Sequence, residues 1–160
     1  MNQENTDPTE TDSNAEDNTP IRVLLVDDEP VLSQIIKLSL EKLGNFEVTL
    51  VTDPLIAVDK ALEAKPDIAL LDVVMPQKNG IEVAYSLRKT PGFEELPLVF
   101  LSASVMERGD KYWLNTDEGM YKEVKDDIVR SCTLLEKPVM LDQLIEVLEE
   151  ALQRTLPIKR

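Results

Sequence analysis

A short apolar stretch that ends in a single carboxylate constrains the fold of this chain more than any other feature. Residues 68–71 are Ile-Ala-Leu-Leu, Asp72 follows, and the chain then passes through Pro76 and the pair Asn79-Gly80, which are strong loop signals. A run that is apolar on both faces is typical of a central strand in a parallel sheet, which helices cover on both sides. Because such sheets bind ligands beyond the carboxyl ends of their strands, we expect Asp72 to lie in a binding crevice.

Apolar runs like this one alternate with segments of helical period along most of the chain. The other strand-like runs are residues 21–26, 46–51, 98–101 and 132–135. Between them, and after the last, apolar residues recur every three or four positions, as they do on the buried face of a helix. The alternation predicts an α/β fold, a doubly wound five-stranded parallel sheet with helices on both faces.

Local signals predict where several of these helices begin and end. Gly44 is a plausible C-terminal cap for the first helix, and Asp53 can cap the second with Pro54 at its first position. Ser104 and Glu107 have the spacing of a capping box, which predicts a helix from Ser104. A further helical stretch is predicted before the fifth strand, from the spacing of Met120, Tyr121, Val124 and Ile128.

The charge balance excludes some classes of function. The chain has 31 acidic and 17 basic side chains and a net charge of −14, whereas a nucleic-acid surface needs clustered Lys and Arg. No apolar run approaches the roughly 20 residues that span a bilayer, and the first residues do not resemble a signal peptide. We therefore expect a cytoplasmic protein with no nucleic-acid or membrane partner. Cys132, the only cysteine, fits a reducing compartment and is expected to be an inert core residue.

The composition predicts one folded domain between two tails. Residues 1–19 contain six acidic side chains, no basic ones and almost nothing apolar, so we expect a disordered acidic tail there. Residues 20–155 are expected to form the domain, and residues 156–160 a short C-terminal tail. No second domain is expected after the last helix.

Charged and hydroxyl groups follow four of the five predicted strands. Asp27-Asp28 follow the first strand, Asp72 the third, Ser102 the fourth and Lys137 the fifth. Three carboxylates in one pocket repel each other unless a cation lies between them, and Mg²⁺ suits a site with few carboxylates and phosphate oxygens. A lysine and a hydroxyl beside the metal would complete the contacts of a phosphoryl group, and Asp72 is the natural nucleophile.

These residues, together with Met75-Pro76, Gly80, Ala103 and Pro138, closely resemble the receiver domains of two-component response regulators in identity, order and strand context. The resemblance covers about residues 21–154. It implies a flavodoxin-like strand order 2-1-3-4-5 and a phosphoacceptor role for Asp72. Asp27, Asp28, Asp72 and the backbone carbonyl of Val74 would hold Mg²⁺, Ser102 would be the switch hydroxyl, and Lys137 would pair with a phosphate oxygen before a cis peptide bond to Pro138.

The function implied by this resemblance is that of a phosphorylation-controlled signalling module. Its phosphodonor would be a histidine kinase or a histidine phosphotransfer protein, and its output would be protein binding, through the face formed by residues 102–135, or phosphoryl relay. Any catalysis would be limited to its own phosphoryl transfer and autodephosphorylation, so it would not be an enzyme in the usual sense.

The chain departs from the family at two places. Leu134 stands where the family usually has an aromatic residue that reports the movement of the hydroxyl. The segment between Ser102 and Lys137 also exceeds the family norm by roughly a dozen residues, which predicts an insertion around residues 106–130. One hypothesis is that Tyr112 or Trp113 in this insertion replaces the missing reporter; the simpler interpretation is that these aromatics anchor the insertion.

Three other functions are alternatives to this interpretation. A flavodoxin needs a phosphate-binding first loop, and the acids at 27–29 would repel that ligand. A haloacid-dehalogenase-type phosphatase would have a second Asp two residues after its nucleophile, where Val74 stands. A pseudo-receiver that binds partners without phosphorylation stays open, because the switch residues are altered although the acids are intact.

Overall fold

The computed structural model describes residues 19–103, 105–108, 111–115, 121–124, 132–153 and 156. The described helices are α1 (Pro30–Leu43), α2 (Ala57–Ala64), α3 (Gly80–Arg88) and α4 (Leu141–Leu152), and a single 3-10 turn, Pro54–Ile56, precedes α2. The described strands are β1 (Ile21–Val26), β2 (Phe46–Val51), β3 (Ile68–Asp72), β4 (Leu98–Ser102), β5 (Val105–Arg108), β6 (Lys111–Asn115), β7 (Tyr121–Val124) and β8 (Thr133–Glu136).

Five of these strands form one parallel sheet in the order β2-β1-β3-β4-β8. Counted along the parallel strands this is the order 2-1-3-4-5, so the predicted fold is confirmed. Both β3 and β4 are buried along their whole length, as the apolar runs predicted. The register pairs Asp72 with Leu101 and Ser102 with Glu136, so the carboxyl ends of the inner strands are level.

Helices cover both faces of the sheet, and each face has its own apolar core. On one face α2 and α3 pack over the sheet through Ala57, Ala61, Val83, Ala84 and Leu87. On the other face α1 and α4 do so through Ile36, Leu40, Leu144, Ile145 and Leu148. Aliphatic side chains buried on both sides are the main stabilising term in a sheet of this kind. Packing of the helices on both faces holds the ends of the strands in place.

Two of the predicted helix ends are confirmed by their hydrogen bonds. Gly44 terminates α1 with a positive φ of 91°, and its N–H donates to the carbonyl of Glu41. The Asp53 carboxylate accepts a hydrogen bond of 2.9 Å from the N–H of Leu55, although the turn it caps is 3-10 and α2 begins three residues later. Both devices satisfy backbone groups that a helix end leaves without partners.

The prediction of helices between Ser104 and the fifth strand is wrong for the described residues. Strands β5, β6 and β7 form a separate antiparallel sheet in that order. The capping-box spacing is a local signal, and pairing between strands distant in sequence overrides it where residues such as Val105, Tyr112 and Trp113 favour strands. Ser104, Met120 and Ile128 lie outside the described residues.

A capping box does occur in the chain, at the start of α3. The Asn79 side chain accepts from the N–H of Glu82, and the Glu82 carboxylate accepts from the N–H of Asn79, both at 2.9 Å. In the sequence, the pair Asn79-Gly80 indicates only a loop. This box fixes the start of the helix that follows the loop after Asp72.

Loss of this cap is expected to destabilise the protein measurably. Asn79→Ala removes the acceptor of the Glu82 N–H and should lower the free energy of unfolding in urea by about 1 kcal/mol. The matched control is Asn79→Asp, which keeps an oxygen at the cap and should stay within about 0.5 kcal/mol of the parent. Equal losses in both variants would contradict a capping role for this side chain.

The structure describes only part of the two tails that the sequence predicts. Leu156, which was assigned to the C-terminal tail, is buried against the α1 and α4 face, and its N–H donates to the Glu149 carboxylate at 2.9 Å. The acidic segment assigned to residues 1–19 lies outside the described residues except for Thr19. Within the described part of the chain, no helix has the length and apolar character needed to cross a membrane.

Candidate functional site

At the carboxyl edge of the sheet, backbone hydrogen bonds continue the pairing of β1 with β2, of β3 with β4 and of β8 with β4 by one residue. The N–H of Asp27 donates to Val51 at 3.1 Å, and the N–H of Val73 donates to Leu101 at 2.9 Å. On the far side, the N–H of Lys137 donates to the carbonyl of Ser102 at 2.8 Å. The backbones of Asp27, Asp72, Ser102 and Lys137 are thus fixed at one edge of the sheet, where the sequence predicted them.

Lys137 brings the acidic side chains of this edge together. Its Nζ lies 3.1 Å from Asp27 Oδ2, 3.4 Å from Asp72 Oδ2 and 3.6 Å from Glu29 Oε1. The Lys137 side chain is only 9% exposed, and both aspartates are buried. One ammonium group therefore offsets part of the charge of three carboxylates.

This arrangement raises the pKa of both Asp72 and Lys137, but for different reasons. Burial raises the pKa of Asp72 to about 7; the Asp27 charge adds to the shift, while Lys137 and the N–H of Val74 oppose it. Burial alone would lower the pKa of Lys137, but the charges of Asp72 and Asp27 outweigh it and leave that pKa above its ordinary value. A cation bound beside Asp72 would oppose the effect of burial and favour the ionised carboxylate.

The group of acids that could hold a metal ion is not quite the predicted one. Asp27, Glu29 and Asp72 each offer a carboxylate oxygen, and these oxygens all lie within 4.8 Å of one another. Asp28 is partly buried and does not belong to this group. Glu29, which is not among the ligands predicted from the sequence, takes the place of Asp28 among the clustered acids.

Glu29 reaches the cluster because the chain turns sharply after β1. Its N–H donates to Asp27 Oδ1 at 2.9 Å, and its carbonyl accepts from the buried hydroxyl of Ser33 at 2.7 Å. An Asp whose side chain accepts from the backbone two residues on is a common turn signal, and Pro30 after it marks the helix start. The turn signal at Asp27 and the helix start at Pro30 are both visible in the sequence. Together they predict that Glu29 lies beside Asp27.

The loop after Asp72 is tied closely to the aspartate. The N–H of Val74 donates to Asp72 Oδ1 at 3.4 Å, and the N–H of Gly80 donates to the Val73 carbonyl at 3.1 Å. A Cβ at Gly80 would lie 2.1 Å from the Asp72 carbonyl oxygen. Only glycine therefore permits α3 to begin this close to the end of β3.

The remaining predicted residues lie where their strands place them. Ser102 is buried at the end of β4, and the peptide bond between Lys137 and Pro138 is cis, as the resemblance implied. Leu134 and Cys132 are partly buried and pack against the core on the α2 and α3 face. Tyr112 and Trp113 belong to β6, but the positions of their side chains lie outside what the structure describes.

This donor set suits a hard divalent cation. Carboxylate oxygens are the ligands that Mg²⁺ and Ca²⁺ prefer, and three of them converge here around one lysine. A buried carboxylate beside a lysine and a metal-binding group is also a suitable acceptor for a phosphoryl group, because charge on the transferred oxygens can be neutralised from two sides.

The sheet carries an acidic cluster at its carboxyl edge, and comparison with known proteins identifies the class of domain. The family described as the response regulator receiver domain matches residues 23–127. The chain therefore belongs to the receiver domains of two-component systems.

Curated relatives agree with this assignment. The transcriptional regulatory protein TrcR of Mycobacterium tuberculosis is 32% identical over 146 residues, which are 90% of this chain and 50% of the relative. The response regulator Rre1 of Synechocystis is 38% identical over 92 residues, 58% of this chain and 39% of the relative. The chain thus spans half or less of the length of these two relatives.

Solved structures share the fold. The chemotaxis protein CheY4 of Vibrio cholerae has a TM-score of 0.68 at 25% identity, covering 83% of this chain and 99% of its own. The receiver domain of the sensor histidine kinase PA1611 of Pseudomonas aeruginosa has a TM-score of 0.64 at 26% identity, covering 84% and 99%. That domain was crystallised with a magnesium ion coordinated in its active-site cleft.

Proposed function

We propose that the chain accepts a phosphoryl group on Asp72 in a Mg²⁺-dependent reaction, and that a histidine kinase or a histidine phosphotransfer protein donates it. The observation that carries this proposal is the contact of Asp72 with Lys137 inside a cluster of acids, in a chain of the receiver family. The ion pairs along the described helices, such as Lys60–Glu63, are more exposed, and in each of them a lysine contacts one acid only.

Each residue of the site has a distinct task in this reaction. An Asp72 carboxylate oxygen attacks the phosphorus, the bond from phosphorus to the donor nitrogen breaks, and an acyl phosphate forms while the nitrogen keeps the bonding electrons. Lys137, which already lies 3.4 Å from Asp72, would pair with a phosphoryl oxygen, and the Ser102 hydroxyl would contact another. The N–H of Val74 orients the attacking carboxylate.

A bound Mg²⁺ would neutralise charge on the phosphoryl oxygens. Asp27, Asp72 and Glu29 are the candidate ligands from the clustered acids, and Asp28 and the Val74 carbonyl are those implied by the family resemblance. The magnesium in the PA1611 receiver domain, whose fold is similar, supports this choice of metal. The acid cluster supports it independently, because carboxylate oxygens of three acids lie within 4.8 Å of one another.

The proposed output of the chain follows from what its relatives in the receiver family do. Charge added at Asp72 would draw in Ser102 and Lys137 and shift the face formed by residues 102–135 between two conformations. That face would bind a downstream protein or pass the phosphoryl group on. TrcR is named a transcriptional regulatory protein and is twice as long as its match with this chain, so an attached output domain is an alternative to stand-alone binding.

Two of the earlier expectations stay predictions. The absence of a nucleic-acid partner rests on the acidic charge of this chain alone and does not extend to any domain attached to it. The cytoplasmic location likewise rests on the sequence. A pseudo-receiver that binds partners without phosphorylation is the second candidate, and the altered residue Leu134 is the observation that favours it.

Intact mass spectrometry after incubation with acetyl phosphate and Mg²⁺ tests the proposal. We expect one added phosphoryl group in the wild type and none in Asp72→Asn or in a sample with the metal chelated. Asp142→Asn, at an exposed acid of α4, is the matched control and should label as the wild type does. A folded wild type that binds Mg²⁺ but takes up no phosphoryl group would support the pseudo-receiver instead.

A further inference from the structure

Two side chains of α1 cover the edge of the parallel sheet at β2. Strand β2 is an outer strand of the five-stranded sheet that the described residues form, and β1 is its neighbour there. An outer strand turns every second N–H and C=O away from the sheet, and a row of such groups is a template for pairing with another chain. The partners of these groups on β2 therefore bear on association as well as on folding.

The hydrogen bonds at the two ends of β2 show which of its residues face outward. The carbonyl of Asn45 accepts from the N–H of Ile21, and the carbonyl of Val51 accepts from the N–H of Asp27. The direction of the backbone groups alternates along a paired strand, so the odd-numbered residues between these two bonds face β1. The even-numbered ones face away from it, and Val48 is the middle one of these.

Both outward backbone groups of Val48 are bound by the ion pair between Lys37 and Glu41. The carbonyl oxygen of Val48 accepts from Lys37 Nζ at 2.5 Å, and the N–H of Val48 donates to Glu41 Oε1 at 3.3 Å. Lys37 and Glu41 are one turn apart on α1, and their Nζ and Oε1 atoms are 2.7 Å apart. One donor and one acceptor thus lie beside Val48, as the N–H and C=O of a neighbouring strand would.

This pair differs from an ordinary ion pair on a helix surface. The side chains of Lys37 and Glu41 are 27% and 33% exposed, whereas those of the pair Lys60–Glu63 on α2 are 41% and 66% exposed. Holding two long side chains in one geometry costs conformational entropy, which an exposed ion pair hardly offsets. The bonds to the backbone of Val48 are therefore what this pair adds.

Val48 is also the residue at which two copies of β2 would pair most directly. In an antiparallel pair with a two-fold axis at Val48, the two valines would exchange both of their hydrogen bonds. Glu47 of one copy would lie opposite Thr49 of the other, so no like charges would oppose each other there. With Lys37 and Glu41 in place, the groups that this pairing needs are already bound.

From these contacts we infer that Lys37 and Glu41 substitute for a neighbouring strand and keep the edge of β2 closed to the same edge of a second copy. The inference is independent of the proposed phosphorylation of Asp72. A two-fold pairing of two edges closes on itself, so uncovering this edge should produce a dimer of the existing particle and not an open chain of molecules. The expected sign of an uncovered edge is therefore a doubled mass.

Exchanging the two charges tests this inference. The double variant Lys37→Glu/Glu41→Lys keeps the net charge and an ion pair at the same spacing, but it brings a carboxylate to the carbonyl of Val48 and an ammonium group to its N–H. The variant Lys37→Ala/Glu41→Ala removes the cover without reversing any charge. Size-exclusion chromatography with light scattering should give each variant about twice the mass of the wild type at equal concentration.

The same exchange in the pair Lys60–Glu63, Lys60→Glu/Glu63→Lys, is the matched control and should leave the mass unchanged. Adding Thr49→Glu to either variant of the Lys37–Glu41 pair would set two acids opposite each other in the paired edges and should restore the wild-type mass. Amide hydrogen exchange gives a second readout. At a dilution that dissociates the dimer, the N–H of Val48 should exchange about tenfold faster or more in these variants than in the wild type.

A folded variant with the mass of the wild type would overturn the inference, even if it is less stable, because the pair would then only anchor α1 to β2. A doubled mass that Thr49→Glu does not reverse would place the new contact elsewhere and overturn it as well. Unchanged exchange at Val48 would show that Lys37 and Glu41 do not protect the edge.

Discussion

Replacing Gly80 by Ala is expected to lower the free energy of unfolding by about 3 kcal/mol, a large loss for a single added methyl group. The new Cβ would lie 2.1 Å from the carbonyl oxygen and 2.9 Å from the carbonyl carbon of Asp72. These are backbone atoms at the end of a buried central strand, so they cannot turn aside as a flexible side chain would. Either α3 moves away from β3 or the end of β3 deforms.

Gly92→Ala is the matched control for this substitution. Gly92 has a φ of +94°, but no heavy atom lies within 4 Å of the position its Cβ would take. Its loss should come from backbone strain alone and amount to roughly 1 kcal/mol. Urea unfolding of both variants compares the two costs, and a Gly80→Ala loss no larger than that of Gly92→Ala would contradict the close approach of α3 to Asp72.

The same contact links stability to function. The methyl group added by Gly80→Ala would press on the residue whose carboxylate is the proposed phosphoacceptor, and the N–H of Gly80 holds the Val73 carbonyl next to it. Under conditions in which the Gly80→Ala variant is fully folded, it should therefore still label more slowly with acetyl phosphate than the wild type. Glycine at this position is required by the geometry of the site and not by a turn with positive φ.

The sheet could be predicted from sequence because its strands are buried on both faces. Runs such as residues 68–71 and 98–101 contain only apolar side chains, and a short run of this kind is typical of a strand buried on both faces. Topology then brings Asp27, Asp72 and Lys137 to one edge, although 110 residues separate the first from the last. For this reason the sequence alone is enough to predict that these three residues lie close together.

Local signals failed where contacts distant in sequence, or a specific turn, decide the outcome. The capping-box spacing at Ser104 indicated a helix, but antiparallel pairing with residues 111–115 makes Val105–Arg108 a strand. Glu29 was missed because its place among the acids depends on how the Asp27 side chain bends the chain after β1. The Asn79 cap was missed because an Asn-Gly pair favours loops and helix starts alike.

Asp72→Asn is expected to stabilise the metal-free protein by about 2 to 4 kcal/mol at pH 8 and by almost nothing at pH 4. Burial raises the pKa of Asp72 to about 7 in the folded state, whereas an unfolded Asp titrates at about 3.9. Between these values the folded state keeps a proton that the unfolded state has lost, so the wild type loses stability as the pH rises from 4 to 7. Asparagine is neutral throughout and has no such loss.

Urea unfolding in the presence of a chelator, repeated from pH 4 to pH 8, measures the difference between the two proteins. Lys137 stays protonated across this range, since its pKa lies above the ordinary value, and so adds no slope of its own. Asp142→Asn, at an exposed acid on α4, is the matched control for the change from Asp to Asn. A difference for Asp72→Asn that does not change with pH would show that burial does not hold a proton on Asp72.

Added Mg²⁺ should then reverse the order of the two proteins at pH 8. A cation bound beside ionised Asp72 stabilises the folded wild type by mass action and removes the cost of its buried charge, while the Asp72→Asn variant offers the cation one carboxylate fewer. The wild type should gain stability with increasing Mg²⁺ and the variant much less. Equal gains in both would mean that the metal binds elsewhere, and the acid cluster around Lys137 would lose its proposed role in phosphoryl transfer.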